Sequence, residues 1–370
     1  MLRRAVALTA AAVVLAGCTP ATGTPEDGAA ATVASGPDDR LARSEALLAD
    51  VLDPGEPGCS VAVGVDGEVV WAAARGLADV RTGRPLTTDT SFDVVSVGKQ
   101  FTATAVLLLE QDGVLALADP VSRWLPGLPA WAQEVTLDHL VHHTSGIPDY
   151  LADLEAAGFA ATDVTTQEQA LQAIAGHAEL PEAEGFAYSN SNYVLLAEVV
   201  RAASGQSLAD FLAGRVFEPL GLAMAVDPTA AAPDAADPSS ARGHVKDTAT
   251  GPWRVAGSRW QQVGDGAVRA TASDLVRWAD EYRTSRLGGE ELLAARLADP
   301  APVNGERDYA AGITVTSGGA LEHRGGWAGF ASAFRVSADR HTAVAVTCNG
   351  DEPGVADVER LWRVLPGLWL

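Results

Sequence analysis

Apolar positions follow a strand-like pattern at both ends of the chain and a helix-like pattern in its middle. Ser60-Val-Ala-Val-Gly-Val and Glu68-Val-Val-Trp-Ala-Ala are β-branched runs on either side of Asp66-Gly67, which predicts an antiparallel hairpin. Phe101-Thr-Ala-Thr-Ala-Val-Leu-Leu-Leu-Glu is apolar on nearly every side and stops at Gly113, as a buried helix with a glycine past its end would. From 120 to about 240 the pattern is mostly helical, punctuated at Pro126-Gly127, Gly146-Ile147-Pro148, Gly185 and Pro219-Leu220-Gly221. Within it, Asn192-Tyr-Val-Leu-Leu-Ala-Glu-Val-Val-Arg-Ala-Ala reads as one helix ending at Gly205. Strand patterns return at Gly312-Ile-Thr-Val-Thr, Leu321-Glu-His, Phe330-Ala-Ser-Ala-Phe-Arg-Val and His341-Thr-Ala-Val-Ala-Val-Thr, and Asp351 to Leu370 reads as a closing helix. The pattern predicts an α/β sheet domain completed by both chain ends and carrying an inserted, mostly helical subdomain at about 120–240.

The N-terminal segment stands apart. Met1-Leu2-Arg3-Arg4 precedes thirteen small or apolar residues, the pattern of a signal peptide over 1–17 and too short for a spanning helix. Leu15-Ala16-Gly17-Cys18 resembles a bacterial lipobox, which implies cleavage before Cys18 and lipidation of its thiol; an ordinary cleaved signal is the alternative. Residues 18–38, rich in Ala, Thr, Gly and Pro, read as a flexible tether, leaving 39–370 as the folded domain. The expected location is extracytoplasmic, membrane-anchored through that lipid or secreted without it.

With 370 residues, 47% of them apolar, the chain can bury a core without metal or disulfide staples. A formal charge of −22 argues against binding nucleic acid through phosphate contacts. The cysteines, Cys18, Cys59 and Cys348, fit neither a dense disulfide framework nor a Cys-x-x-Cys site. No cofactor is expected, and the chain reads as a monomer acting on a small-molecule or peptide substrate. Of its 26 basic residues only Lys99 and Lys246 are lysines.

That scarcity draws attention to Ser96-Val-Gly-Lys99, at the start of the buried helix. A serine hydroxyl is a weak nucleophile and needs a base. Residues i and i+3 on a helical turn share a face, so the Lys99 amine can approach Ser96, and the apolar run behind it favours a neutral amine. Arginine could not serve, because its guanidinium stays protonated. Helix-start amides would stabilise an oxyanion. The bland alternative is a surface serine followed by a surface lysine. His139, His142 and His143 invite a metal reading, but no carboxylate or cysteine is placed to complete a site.

Ser96-Val-Gly-Lys99, Tyr188-Ser-Asn190 and His323-Arg-Gly325 resemble, in order and spacing, the three motifs of the serine β-lactamase-like family. That family includes class C β-lactamases, D-alanyl-D-alanine carboxypeptidases, D-aminopeptidases and esterases. The resemblance extends to Phe92-Asp-Val-Val-Ser96, His139-Leu-Val-His-His-Thr-Ser-Gly-Ile-Pro-Asp-Tyr150, Glu218-Pro-Leu-Gly-Leu222, Gly264-Asp-Gly-Ala-Val and Thr271-Ala-Ser-Asp-Leu275, covering about 40–370.

The resemblance implies a β-lactamase/transpeptidase-like fold, an α+β domain (α/β sandwich) whose antiparallel sheet is built from both chain ends with flanking helices and the inserted helical subdomain, and a serine hydrolase that forms an acyl-enzyme. Ser96 would be the nucleophile, Lys99 its base, and Tyr188 the phenol that shuttles protons, ionised more readily if it lies between two cations. Asn190 would orient substrate and Lys99; on its own, Tyr188-Ser-Asn190 reads first as a plain turn before a helix with Asn190 or Asn192 as cap. His323 stands where most β-lactamases carry lysine, which weakens the case for efficient β-lactam hydrolysis. His323 and Gly325 would face the cleft, with Arg324 pointing away or at the rim, where it could meet a substrate carboxylate. An amide near Gly326 would complete the oxyanion hole with that of Ser96, and Trp327 and Tyr150 would line the cleft. The resemblance treats the three histidines as structural. It also makes the strands around Cys59 and Cys348 antiparallel neighbours, so that an exported protein could bridge these two cysteines. The alternative function is a catalytically silent protein of the same fold that binds cell-wall peptides.

Overall fold

The computed structural model describes residues 37–181, 185–229, 232, 237–246, 251–350 and 356–370. The expected signal peptide and Cys18 lie outside them. The first described element, helix α1 (Pro37–Val51), begins just inside the segment read as tether.

Among the described residues, eight strands form one antiparallel sheet. They are β1 (Cys59–Val65), β2 (Glu68–Arg75), β3 (Ala301–Asn304), β4 (Arg307–Tyr309), β5 (Thr314–Thr316), β6 (Leu321–Trp327), β7 (Phe330–Val336) and β8 (Thr342–Cys348), in the order β3-β4-β5-β6-β7-β8-β1-β2. The Asp66-Gly67 hairpin thus adds to the last strand of the chain, and both chain ends complete the sheet as the pattern predicts. Side chains of a strand alternate between faces. Val61 and Val63 of β1 join Val344 and Val346 of β8 under helices α1 and α5 (Ala356–Trp369), while Ala62, Ala343 and Ala345 face the larger core on the other side. Cys59 and Cys348 are register partners and are joined by a disulfide.

The larger core belongs to the helices between the strands. Helix α2 (Lys99–Gln111) is buried from Lys99 to Leu109, which is why its sequence is apolar on nearly every side. It packs against α3 (Asn190–Ser204), which Gly205 ends at a φ of 72°. Phe101 of α2 meets Phe217 edge-on and Trp278, on helix α4 (Ala272–Trp278), at 4.7 Å between centroids. No described helix is long and apolar enough to cross a membrane.

Two features differ from the sequence reading. The chain passes from the extended Phe92–Asp93 into α2 through a separate 3-10 turn, Val95–Gly98. Strands β3 and β4 went unread, because Pro302, Asn304, Asp308 and the Gly305 turn between them hide any alternation of apolar residues.

Candidate active site

The turn that carries Ser96 is held from three sides. Phe92–Asp93 pairs with Val268–Ala270, and the Val94 amide donates to the Val268 carbonyl at 2.9 Å. Asp93 Oδ1 accepts the Val95 amide at 2.8 Å, and Ser332 Oγ on β7 donates to the Val94 carbonyl at 2.6 Å. These contacts hold Val95 at a φ of 49°, a left-handed conformation costly for a β-branched residue, directly before Ser96. Gly325 lies against the same turn: a Cβ there would stand 2.8 Å from the Ser96 nitrogen, so only glycine lets β6 approach this closely.

Ser96 borders a cavity of about 90 Å³ whose lining includes Tyr150, Asn190, Trp260, Asp265 and Gly326. Beneath it Lys99 is fully buried. Its Nζ donates to Ser96 Oγ at 3.1 Å, to Asn190 Oδ1 at 2.8 Å and to the Asp265 carbonyl at 2.6 Å. Asn190 is turned by its other end: its backbone N and Nδ2 both donate to Asp149 Oδ2, which leaves Oδ1 for the lysine. It is the first residue of α3, the cap being Ser189, so neither Asn190 nor Asn192 caps that helix. Asp265 accepts the Tyr150 hydroxyl at 2.9 Å, and burial raises its carboxyl pKa, as it does that of Asp93. Trp327 lines the same cavity and packs on Trp260.

The opposite wall is built of rings. Tyr188 is 40% exposed, its ring 5.1 Å from Lys99 Nζ and 4.3 Å from His143. His143 is fully buried, and its Nδ1 accepts from the Ser189 amide and from Asn192 Nδ2, so its proton sits on Nε2. Burial, reinforced by the Lys99 charge, holds it neutral, well below the usual imidazole range. His323 behaves alike, lowered to about 4 by burial and then by Lys99. Its Nδ1 donates to the Arg324 carbonyl at 2.7 Å, so its Nε2 is the acceptor for the Tyr309 hydroxyl at 3.2 Å. The pair of cations envisaged around Tyr188 is therefore one, Lys99, because the residue at the other motif is a neutral imidazole.

Ser96, Lys99, Tyr188, Asn190, His323, Gly325 and Gly326 thus gather around one cleft, with Arg324 at its rim, where it lines a second cavity together with Tyr188 and His323. Arg324 lies over the Trp362 ring and pairs with Glu359 of α5 at 3.2 Å. Lys246 pairs with Glu56 and covers Trp253. The three histidines have separate tasks: His139 accepts the Thr136 amide at a helix start, His142 pairs with Asp138, and His143 backs Tyr188. Sequence reasoning missed Tyr309, Asp149 and Asp93. Tyr309 lies on an unread strand, and the acids act through loop geometry that no spacing reveals.

Comparison with known proteins gives concordant matches. The family model described as Beta-lactamase matches residues 38–367. Penicillin-binding protein 4* of Bacillus subtilis (strain 168) is 31% identical over 311 residues, 77% of this chain and 66% of that protein. D-aminopeptidase of Brucella anthropi is 32% identical over 246 residues, 66% of this chain and 46% of that protein. The chain therefore spans between about half and two thirds of the length of these relatives. In fold it resembles the D-amino acid amidase of Ochrobactrum anthropi SV3 complexed with L-phenylalanine amide, with a TM-score of 0.74, 24% identity, and coverage of 89% of this chain and 98% of that one.

Proposed function

The chain belongs to the Beta-lactamase family, and on that premise we propose that it is an exported serine hydrolase that forms an acyl-enzyme on Ser96 and cleaves an amide or ester. The observation that carries this reading is the contact between Lys99 Nζ and Ser96 Oγ at 3.1 Å, made inside a wall that excludes water from the lysine. When the amine has given up one proton it accepts that of Ser96, and the alkoxide adds to the substrate carbonyl carbon. The Ser96 amide, with an amide of the neighbouring β6 segment near Gly326, receives the oxyanion. Collapse of the tetrahedral intermediate expels the amine or alcohol, which takes a proton from the Lys99–Tyr188 pair. Water, deprotonated by the same pair, then releases the acid and restores Ser96.

The relatives named as D-aminopeptidase and D-amino acid amidase favour D-amino-acid peptides, amides or small esters as substrates, with β-lactams a further class. Export and lipid anchoring through Cys18 rest on the sequence alone, and radiolabelled palmitate incorporation that survives Cys18→Ala would refute the anchor. For the catalytic reading, a fluorophosphonate should add once, to Ser96, as located by peptide mass spectrometry. Folded protein that takes no adduct there would overturn it.

A further inference from the structure

Tyr188 sits in a stretch, residues 186–189, that is neither helix nor strand, so something other than regular structure must hold the phenol in place. His143 touches that stretch on both sides of it. The Ala187 amide donates to the His143 carbonyl at 2.8 Å, and the Ser189 amide donates to His143 Nδ1 at 3.2 Å. The imidazole also lies 4.3 Å from the Tyr188 ring, tilted by 31°, whereas Tyr309 and His323 stand 6.2 and 6.5 Å away.

His143 is itself held firmly. Its Nδ1 accepts Asn192 Nδ2 at 3.0 Å as well, and Asn192 Oδ1 accepts the Ser145 hydroxyl at 2.6 Å. Its backbone takes a φ of 55°, in the left-handed region that histidine enters more readily than most residues. Its Nε2 is buried and has no hydrogen-bond partner among the described residues. A buried, unpaired N–H is destabilising, and a phenyl ring would fill the same place without one. Packing alone therefore does not account for an imidazole here. What a phenyl ring lacks is the Nδ1 acceptor, the atom that holds the Ser189 amide.

We propose that His143 is the positioning residue of Tyr188: it anchors the main chain on both sides of the phenol and lies against its ring, so that the hydroxyl meets first the leaving group and then the water. The proposal rests on the reading of Tyr188 as proton carrier, and His143 itself exchanges no proton. Hydrogen bonds to Ala187 and Ser189 fix the base of the side chain, while the ring contact leaves its hydroxyl end a small adjustment.

The test is a double-mutant cycle with Tyr188→Phe on p-nitrophenyl acetate, each rate expressed per Ser96 site that takes a fluorophosphonate. His143→Phe keeps a ring and removes the Nδ1 acceptor. His143→Asn keeps an acceptor and suits the left-handed backbone, but removes the ring. With Tyr188 present, His143→Phe should lower kcat about tenfold and His143→Asn about fivefold, with KM changed by less than about threefold in each. In the Tyr188→Phe background each should cost less than about twofold, because no phenol is left to misplace. A merely structural residue would lower the labelled fraction and leave the rate per labelled site unchanged, or would slow both backgrounds equally. Either result would overturn the proposal, and His143→Asn decides it alone should His143→Phe fail to fold. Equal losses beside a slow Tyr188→Phe would leave the proton-carrying reading standing, whereas an unaltered kcat in Tyr188→Phe would remove both.

Discussion

The two walls of the cleft are held by different forces. On the Lys99 wall, short directional hydrogen bonds from one ammonium reach a hydroxyl, an amide oxygen and a carbonyl, at 2.6 to 3.1 Å. On the Tyr188 wall the phenol itself is held by tilted and edge-on ring contacts: His143 lies 4.3 Å from Tyr188, Tyr309 6.2 Å and His323 6.5 Å. Hydrogen bonds weaken steeply with angle, so the first wall fixes atoms to within tenths of an ångström. Tilted and edge-on ring contacts are less directional and tolerate a small shift of the phenol. The division suits the proposed chemistry, in which a nucleophile must be aligned before reaction while a proton carrier must serve first a leaving group and then a water. One wall carries an ammonium, whereas the buried rings behind the phenol on the other, His143, Tyr309 and His323, are neutral.

The largest effects should come from the rigid wall. Ser96→Ala and Lys99→Met should each lower kcat/KM by about 10³-fold or more, and the double variant should be no worse than the poorer single one, because the two act as a unit. Additive losses in steady-state ester hydrolysis would mean that the pair is not one device. Next, Gly325→Ala should cost about 100-fold in kcat, since its new Cβ falls 2.8 Å from the Ser96 nitrogen and must displace the turn. If kcat held, Ser96 would have more positional freedom than the contrast between the walls allows. Tyr188→Phe should be milder, slowing kcat by about 10- to 100-fold with KM changed by less than about threefold. An unaltered kcat would take the proton-carrying role from the phenol and leave its wall a packing surface.

The same contrast explains what the sequence could tell. Ser96 and Lys99 are three residues apart, and that spacing, with the apolar run behind it, made their contact readable directly. The hairpin at Asp66-Gly67, the buried α2 and the late strands follow from local periodicity and turn residues, so they too were readable. Tyr188, Asn190 and His323 carried little signal singly and became visible through the resemblance. Tyr309 stayed hidden, since its importance arises from β4 lying two strands from β6 and from a hydroxyl reaching His323. The strain at Val95 was equally invisible, being imposed by Asp93, Val268 and Ser332 rather than by its own neighbours. Arg324 shows the limit of strand alternation: the pattern turns it away from the cleft, while its partners Glu359 and Trp362 come from a helix that the alternation does not place.

The smallest effect tests the neutrality of the ring wall through stability instead of rate. His323 is buried and titrates at about 4 in the folded protein, against about 6.5 when unfolded. Between those values the unfolded chain binds a proton that the folded one refuses, so this contribution is complete above pH 6.5 and is lost as pH falls toward 4. From pH 7 to pH 5 the loss attributable to His323 is about 2 kcal/mol. His143 and His244, also lowered by burial, push in the same direction, while Asp93 and Asp265, raised by burial, push against them. The overall pH slope therefore mixes signs, and the informative quantity is a difference between proteins. Urea unfolding at pH 7 and pH 5 should show a drop in stability for the wild type that exceeds the drop for His323→Gln by about that amount, because the amide has no proton to gain. Equal drops would mean that His323 already carries its proton in the folded state. The Tyr309 hydroxyl would then be accepting from the imidazolium instead of donating to it, and the buried ring cluster would carry a positive charge.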